Sequence, residues 1–337
     1  MGKLKREILS VIDLEIGFVS RGRKRTVLTS PLNATASSGE FIAVIGHNGV
    51  GKSTLLRTIT GLQSLLGGNV FIKGKNIEDY SRTDIARNVG YISTEPVSVG
   101  NMTVYDLVAL GRYPHTNWIG KINDDDHNTI LSSIVKVGMT DFNGKYINEL
   151  SDGEKQRAMI ARVLAQDTGL LIMDEPTAFL DISNKFEIVH LMHTLTRERG
   201  KTVIFSTHDL QTAINTADKI WLVLENGIIE GAPEDLILND SFDSLFSDSR
   251  LKFNKSEGSF VINKDNRKSI RIDGDGLQRL WTEKALNRIG YDLSNTGNMV
   301  RIVSEGNVLK WELLFKDQIL EFYSIYELVV WLDGQDS

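Results

Sequence analysis

Short apolar runs recur along the first two thirds of the chain, separated by stretches of helical periodicity. Phe41-Ile42-Ala43-Val44-Ile45, Val89–Ile92, Leu170–Met173, Val203–Phe205 and Ile220-Trp221-Leu222-Val223-Leu224 are nearly unbroken in hydrophobicity. That is the pattern of strands buried on both faces rather than on one. Asn226-Gly227 closes the last of them with a hairpin. The alternation of strand and helix from residue 41 to about 220 predicts an α/β core, a largely parallel sheet with helices on both faces. Residues 8–16 and 68–73 read as strands of a second, more antiparallel sheet. Between Val104 and Ala165 only helical periodicity is found, which predicts a helical insertion.

The pattern changes near residue 240, where Asp240-Ser241-Phe242-Asp243-Ser244 reads as a linker. Beyond it, short alternating runs at Phe260–Ile262, Ile270–Ile272, Met299–Val303, Leu309–Phe315 and Ile319–Tyr323 predict strands. One amphipathic segment carries Leu277, Leu280, Trp281, Leu286 and Ile289, and a last helix is expected to bury Ile325, Leu328, Val329 and Leu332. The expected division is therefore a domain at 1–239 with a helical part at about 96–165, and an α+β domain at 240–337.

Composition narrows the class. A length of 337 residues suits two domains, and 41% hydrophobic with 24% charged residues is ordinary for a globular protein. The longest apolar runs fall far short of the roughly twenty residues a bilayer crossing needs. The basic start (Lys3, Lys5, Arg6) is broken by Glu7, Asp13 and Glu15, so no export signal is read. Absence of cysteine excludes disulfides and thiolate chemistry. A net charge of -6 disfavours a nucleic-acid partner, and Arg21 to Arg25 reads as a solvated hairpin tip.

Gly46-His47-Asn48-Gly49-Val50-Gly51-Lys52-Ser53-Thr54 follows a predicted strand and opens a predicted helix. In that setting backbone N–H groups and a helix N-terminus point at one spot, where a polyphosphate is favoured. The glycines let the backbone wrap the anion, Lys52 supplies charge to the outer phosphates and Ser53 is placed to ligate Mg²⁺. Downstream, the strand Leu170–Met173 ends in Asp174-Glu175. Ligands gather at the carboxyl ends of strands in open parallel sheets. Asp174 is expected to hold Mg²⁺ opposite Ser53, and Glu175 to polarise a water aimed at a γ-phosphate.

Leu150-Ser151-Asp152-Gly153-Glu154-Lys155-Gln156-Arg157 opens another helix, with Ser151 as N-cap and Glu154 as its capping-box partner. Placed about twenty residues before the carboxylate pair, it resembles the signature motif of the ATP-binding cassette (ABC) family, with Asp152 in place of that motif's first glycine. The resemblance covers roughly residues 8 to 238. It implies a P-loop NTPase-type core with an antiparallel β subdomain and a helical insertion. It also implies a D-loop at Asp181, a switch histidine at His208 and an adenine-stacking aromatic at Phe18. At the place of the family's Mg²⁺-reading glutamine stand Thr94 and Glu95, either of which could take the role. Leu107 to His115, ending Gly111-Arg112-Tyr113-Pro114-His115, resembles a stretch of the importer ATPases for iron siderophores, haem and vitamin B12, where it faces the membrane subunit.

What the resemblance implies for activity is ATP hydrolysis with Mg²⁺ by a head-to-tail homodimer. Each ATP would lie between the phosphate loop of one copy and Ser151, Gly153 and Glu154 of the other. The homodimer would sit on separate permease subunits at the cytoplasmic face of the cell membrane, served indirectly by an extracytoplasmic substrate-binding protein. The alternative within the same family is a soluble ATPase of translation or DNA repair. Residues 240–337 carry no site motif.

Overall fold

The computed structural model describes residues 6–19, 24–94, 101–116, 121–246, 251–255, 258–262, 268–294, 297–305, 308–316 and 318–335. The chain forms two compact units, the first holding residues up to 247 with 253–259 and the second the remainder. In the first unit the chain opens with β1 (Glu7–Glu15), a hairpin of β2 (Gly17–Val19) and β3 (Arg25–Val27), then β4 (Leu32–Ser37) and β5 (Phe41–Ile45). Helix α1 (Lys52–Ile59), β6 (Gly67–Ile72), β7 (Lys75–Asn76), α2 (Arg82–Asn88) and β8 (Val89–Ile92) follow. The helical insertion comprises α3 (Val104–Ala109), a 3-10 helix over Leu110–His115, α4 (Asp124–Lys136) and α5 (Asp152–Ala165). The chain then returns to the core through β9 (Leu170–Met173), α6 (Ile182–Arg199), β10 (Thr202–Ser206), α7 (Leu210–Thr216), β11 (Lys219–Leu224), β12 (Gly227–Gly231) and α8 (Pro233–Leu238).

Among the described residues the central sheet has six strands in the order β12-β11-β5-β10-β9-β8. All its pairings are parallel except the β11–β12 hairpin. Strands β5, β9 and β10 are buried along their whole length, as unbroken apolar runs require when helices cover both faces. The second sheet runs β4-β1-β6-β7 and is antiparallel. Its inward residues Leu9, Val11, Leu14, Leu32, Val70 and Ile72 join the core that also holds Ile42, Val44 and Trp221.

The insertion is tied together by Arg112, whose Nε donates to Asp126 of α4 at 2.8 Å and whose Nη1 donates to Ala165 O at the end of α5, also at 2.8 Å. Burial pushes the Asp126 carboxyl up, but the Arg112 bond and the backbone N–H given through Asn123 outweigh it and hold the group below its usual range. Gly111 lets this corner approach α5, since a Cβ there would lie 2.0 Å from Arg162 O.

The strands β13 (Leu251–Asn254) and β14 (Ser259–Ile262) are divided between the two units, and the second unit continues with β15 (Lys268–Asp273), α9 (Gly276–Arg288), β16 (Tyr291–Leu293), β17 (Asn298–Glu305), β18 (Val308–Phe315), β19 (Gln318–Phe322) and α10 (Ile325–Gly334). The sheet order is β16-β15-β17-β18-β19. Its core gathers Ile270, Leu286, Val300, Trp311, Leu313, Phe322, Leu328 and Leu332, and Trp311 Nε1 donates to the buried Thr282 hydroxyl at 2.8 Å.

Two expectations fail. Residues 240–245 are not an open linker: Ser241–Leu245 is a 3-10 helix with Phe242 and Leu245 buried. On α9, Leu277, Leu280 and Trp281 are 68%, 40% and 58% exposed, while Thr282, Ala285 and Leu286 are buried. Leu277 and Leu286 are nine positions apart, about two and a half turns at 3.6 residues per turn, so they lie on opposite sides of the helix.

Gly111→Ala should destabilise the chain by about 1–3 kcal/mol, the usual range for overpacking. Gly144→Ala, where a Cβ would meet nothing within 4 Å, should change stability by less than about 0.5 kcal/mol. Thermal unfolding of both variants checks this.

Candidate functional site

The site is built where strands β5, β9 and β10 end. The phosphate loop leaves β5 at Ile45 and turns through Gly49 (φ 84°) and Gly51 (φ 107°), left-handed conformations that glycine adopts without strain. Gly46 is required for a different reason, because a Cβ there would lie 2.5 Å from Val223 O. His47, Asn48 and Ser53 are exposed, whereas Thr54 and Lys52 are buried. Lys52 Nζ donates to the carbonyls of Gly46 at 2.8 Å and His47 at 3.0 Å, so the ammonium lies within the turn of its own loop. Burial lowers the Lys52 pKa, and the charges of Glu175 and Asp174 pull the other way.

The carboxylate pair is held by Ser206, a residue to which the sequence reading gave no role. Parallel registry sets Phe205 of β10 beside Met173 of β9, so the next residues, Ser206 and Asp174, fall level. The buried Ser206 hydroxyl donates to Asp174 Oδ1 at 2.7 Å and accepts the Glu175 N–H at 2.8 Å. Asp174 is 1% exposed, and Glu175 has φ 46°, a strained conformation for a non-glycine residue. Glu175 Oε2 lies 3.7 Å from His208 Nδ1. Beside His208, burial raises the Asp209 carboxyl, but bonds from Lys185 and from Thr212 outweigh it and hold its pKa at about 2. This ion pair ties the switch segment to α6.

The signature helix α5 is capped as its sequence requires. Ser151 N and Oγ donate to Glu154 Oε2 at 2.7 and 2.8 Å, and Glu154 N donates back to Ser151 Oγ at 3.4 Å. The backbone bond from Ser151 is the main reason the Glu154 carboxyl sits below its usual range. Glu154 is therefore the capping group of α5 and, as a carboxylate, an acceptor of hydrogen bonds. Gly153 fits against α6, where a Cβ would meet Asn184 Oδ1 at 2.6 Å. Asn184 in turn donates from N and Nδ2 to Asp181 at 2.8 and 3.2 Å, so the D-loop aspartate is the N-cap of α6.

Other candidates are separated from this cluster or touch only its edge. Phe18 lies on β2 at 52% exposure, available to a planar ligand and not a core residue. Thr94 Oγ1 donates to Asp174 O at 3.2 Å, which places it at the strand end with the carboxylates. Glu95 lies outside the described residues. The phosphate loop and His208 line one cavity of about 230 Å³. Thr94, Glu175 and the signature helix line another of about 390 Å³. Asp174 and Ser53 are the hard oxygen donors Mg²⁺ takes, and no group of three or more metal-binding side chains exists among the described residues. No helix of the described residues is long and apolar enough to cross a membrane.

Comparison with known proteins agrees with this geometry. The family model for ABC transporters matches residues 29–178, and that for the iron ABC transporter C-terminal domain matches residues 266–333. An uncharacterised ABC transporter ATP-binding protein of Methanocaldococcus jannaschii is 35% identical over 262 residues, covering 77% of this chain and 90% of that protein. The ferric enterobactin transport ATP-binding protein FepC of Escherichia coli is 34% identical over 226 residues, 67% of this chain and 83% of FepC. A solved metal-chelate type ABC transporter in an inward-facing conformation superposes with a TM-score of 0.62 at 25% identity, covering 76% of this chain and 95% of that one. Similarity over nearly the whole of each relative, joined to the phosphate loop, the carboxylate pair and the capped signature helix, makes this chain a member of the ABC transporter ATP-binding protein family.

Proposed function

We propose that this ATPase powers import of iron chelates, acting as a head-to-tail pair beneath separate permease subunits at the cytoplasmic face of the membrane. A substrate-binding protein outside would deliver cargo. The observation that carries the ATPase chemistry is the Ser206 bridge, which holds Asp174 and Glu175 at the strand ends, near enough to Lys52 for their charges to act on it. The choice of iron chelates rests on the enterobactin-transport relative and on the iron transporter C-terminal family at 266–333. These relatives are transport proteins, and the translation or repair reading is set aside.

In this reading Lys52 and the loop N–H groups hold the β- and γ-phosphates, and Phe18 stacks on adenine. Mg²⁺ would be held by Ser53 and Asp174, with Thr94 or Glu95 as the further candidate beside it, and it would neutralise phosphate charge. Glu175 accepts a proton from the attacking water as its oxygen bonds to the γ-phosphorus and the bond to ADP breaks, giving ADP and phosphate. His208, whose Nδ1 lies 3.7 Å from Glu175 Oε2, would contact the γ-phosphate. The other wall is the N-terminus of a second copy's α5, where Ser151, Gly153 and the helix dipole add donors, and Asp181 links the two sites. Loss of the γ-phosphate removes the charge both copies solvate and lets them part. The permease would dock at the cavity of about 550 Å³ between α1, α2 and the insertion, rimmed by the exposed Leu110 and Tyr113 and by Arg82 and Arg162.

Glu175→Gln should slow hydrolysis by about 10²–10⁴-fold, the usual worth of a general base, and give a stable dimer with ATP and Mg²⁺ on size exclusion. A monomer that turns over normally would contradict the ATPase mechanism. Ser206→Ala should lower kcat by about 10²-fold with little change in ATP binding, because small misplacements of a base cost rate. Glu154→Gln keeps the cap but removes a negative charge beside the proposed γ-phosphate, so ATP-driven dimerisation should strengthen by about twofold to fivefold, read by analytical ultracentrifugation. Pull-down of permease subunits from detergent extracts, with cargo identified by chelate-dependent stimulation of ATPase activity, tests the transport role.

A further inference from the structure

The phosphate loop is gripped from outside by a residue beyond the motifs. The ring of Phe246 meets the imidazole of His47 edge-on, with centroids 6.4 Å apart and planes at 74°. The two share the cavity of about 230 Å³ that Asn48, His208 and Leu245 also line. Phe246 is itself well anchored. Asp240, in a left-handed conformation (φ 58°), starts the 3-10 helix Ser241–Leu245, whose Phe242 and Leu245 are 1% and 5% exposed. Phe246 N donates to Asp243 O at 3.0 Å, the ring of Phe242 lies 5.6 Å from that of Phe253, and Lys255 Nζ reaches Asp240 Oδ1 at 2.8 Å and Leu238 O at 3.2 Å. The loop it touches turns through two left-handed glycines and has an exposed His47-Asn48-Gly49 crest.

We propose that Phe246 is a positioning residue for ATP binding: through His47 it holds the phosphate loop in its nucleotide-ready shape, so the last turn of chain before the second unit sets the affinity of the site. A loop that must be ordered by the ligand binds it more weakly than one already ordered, and an edge-on aromatic contact is strong enough to shift that balance about twofold to tenfold. The ring contact of Phe246 is with His47 of the loop and not with the Asp174–Ser206–Glu175 bridge, so its loss is expected in binding more than in the chemical step. The inference rests on the reading of residues 46–54 as the ATP site.

The test uses the full chain, with Mg²⁺-ATP affinity measured by competition against a fluorescent ATP analogue and steady-state hydrolysis measured alongside. Phe246→Ala is expected to raise Kd and KM for ATP about fivefold while kcat changes far less. Phe246→Tyr, which keeps the ring edge, should bind as the unaltered chain does. Phe246→Leu, which keeps an apolar side chain but no ring, should follow Phe246→Ala and covers the case in which the alanine variant folds poorly. In a His47→Ala background, removal of Phe246 should add no further loss. Unchanged affinity in both ring-less variants, losses that multiply in the double variant, or a fall in kcat and melting temperature at constant KM would each overturn the proposal. Failure of the unaltered chain to bind ATP would instead overturn the nucleotide reading beneath it.

Discussion

The site depends on the levelling of strand ends in a parallel sheet. Because β10 pairs in parallel with both β5 and β9, the residues that leave these strands emerge at one edge, and each begins a loop with its own chemistry. Ser206 converts that alignment into a bond network, giving its proton to Asp174 and taking the N–H of Glu175. A hydroxyl can do both at once, which a carbonyl or an ammonium could not. Asp174 is almost wholly buried, where a carboxylate without such partners would be strongly disfavoured.

That edge supplies one wall of a nucleotide site. The loop and helix α1 offer donors and positive charge, and Glu175 and His208, 3.7 Å apart, are the pair to which the proposed hydrolysis is assigned. The second helix N-terminus suited to an anion, at Ser151, belongs to α5 of the insertion and lines a cavity distinct from that of the phosphate loop. Its donors are partly committed to Glu154, so engagement with a phosphate would exchange one anion for another. A site whose halves line different cavities of one chain is completed in the proposed pair by a second copy.

Much of this was legible in the sequence because the signals are local. Continuous apolar runs located β5, β9, β10 and β11, and the spacing of Gly46, Gly49, Gly51 and Lys52 located the loop, since turn geometry and helix start are settled within a few residues. The Ser151–Glu154 box was readable for the same reason, and the structure forms it. Ser206 was not legible in its role, because its partners lie just past the end of the neighbouring strand, 31 and 32 residues away. Asn184 against Gly153 and Asp126 against Arg112 are likewise products of tertiary contact. On α9 helical geometry divides Leu277 from Leu286, which apolar composition alone does not reveal. At 240–245 polar composition concealed Phe242 and Leu245, the two residues that fix the segment in place.

The claim that two copies share each nucleotide is tested most directly by crosslinking. The chain lacks cysteine, so Asn48→Cys in one copy and Ser151→Cys in another give a clean pair of reporters. In a Glu175→Gln background with ATP and Mg²⁺, a short bifunctional thiol reagent should join the two differently tagged copies into a species of twice the chain mass, and omission of nucleotide should abolish it. A crosslink that forms only within a single chain carrying both cysteines, with none between copies, would contradict the account.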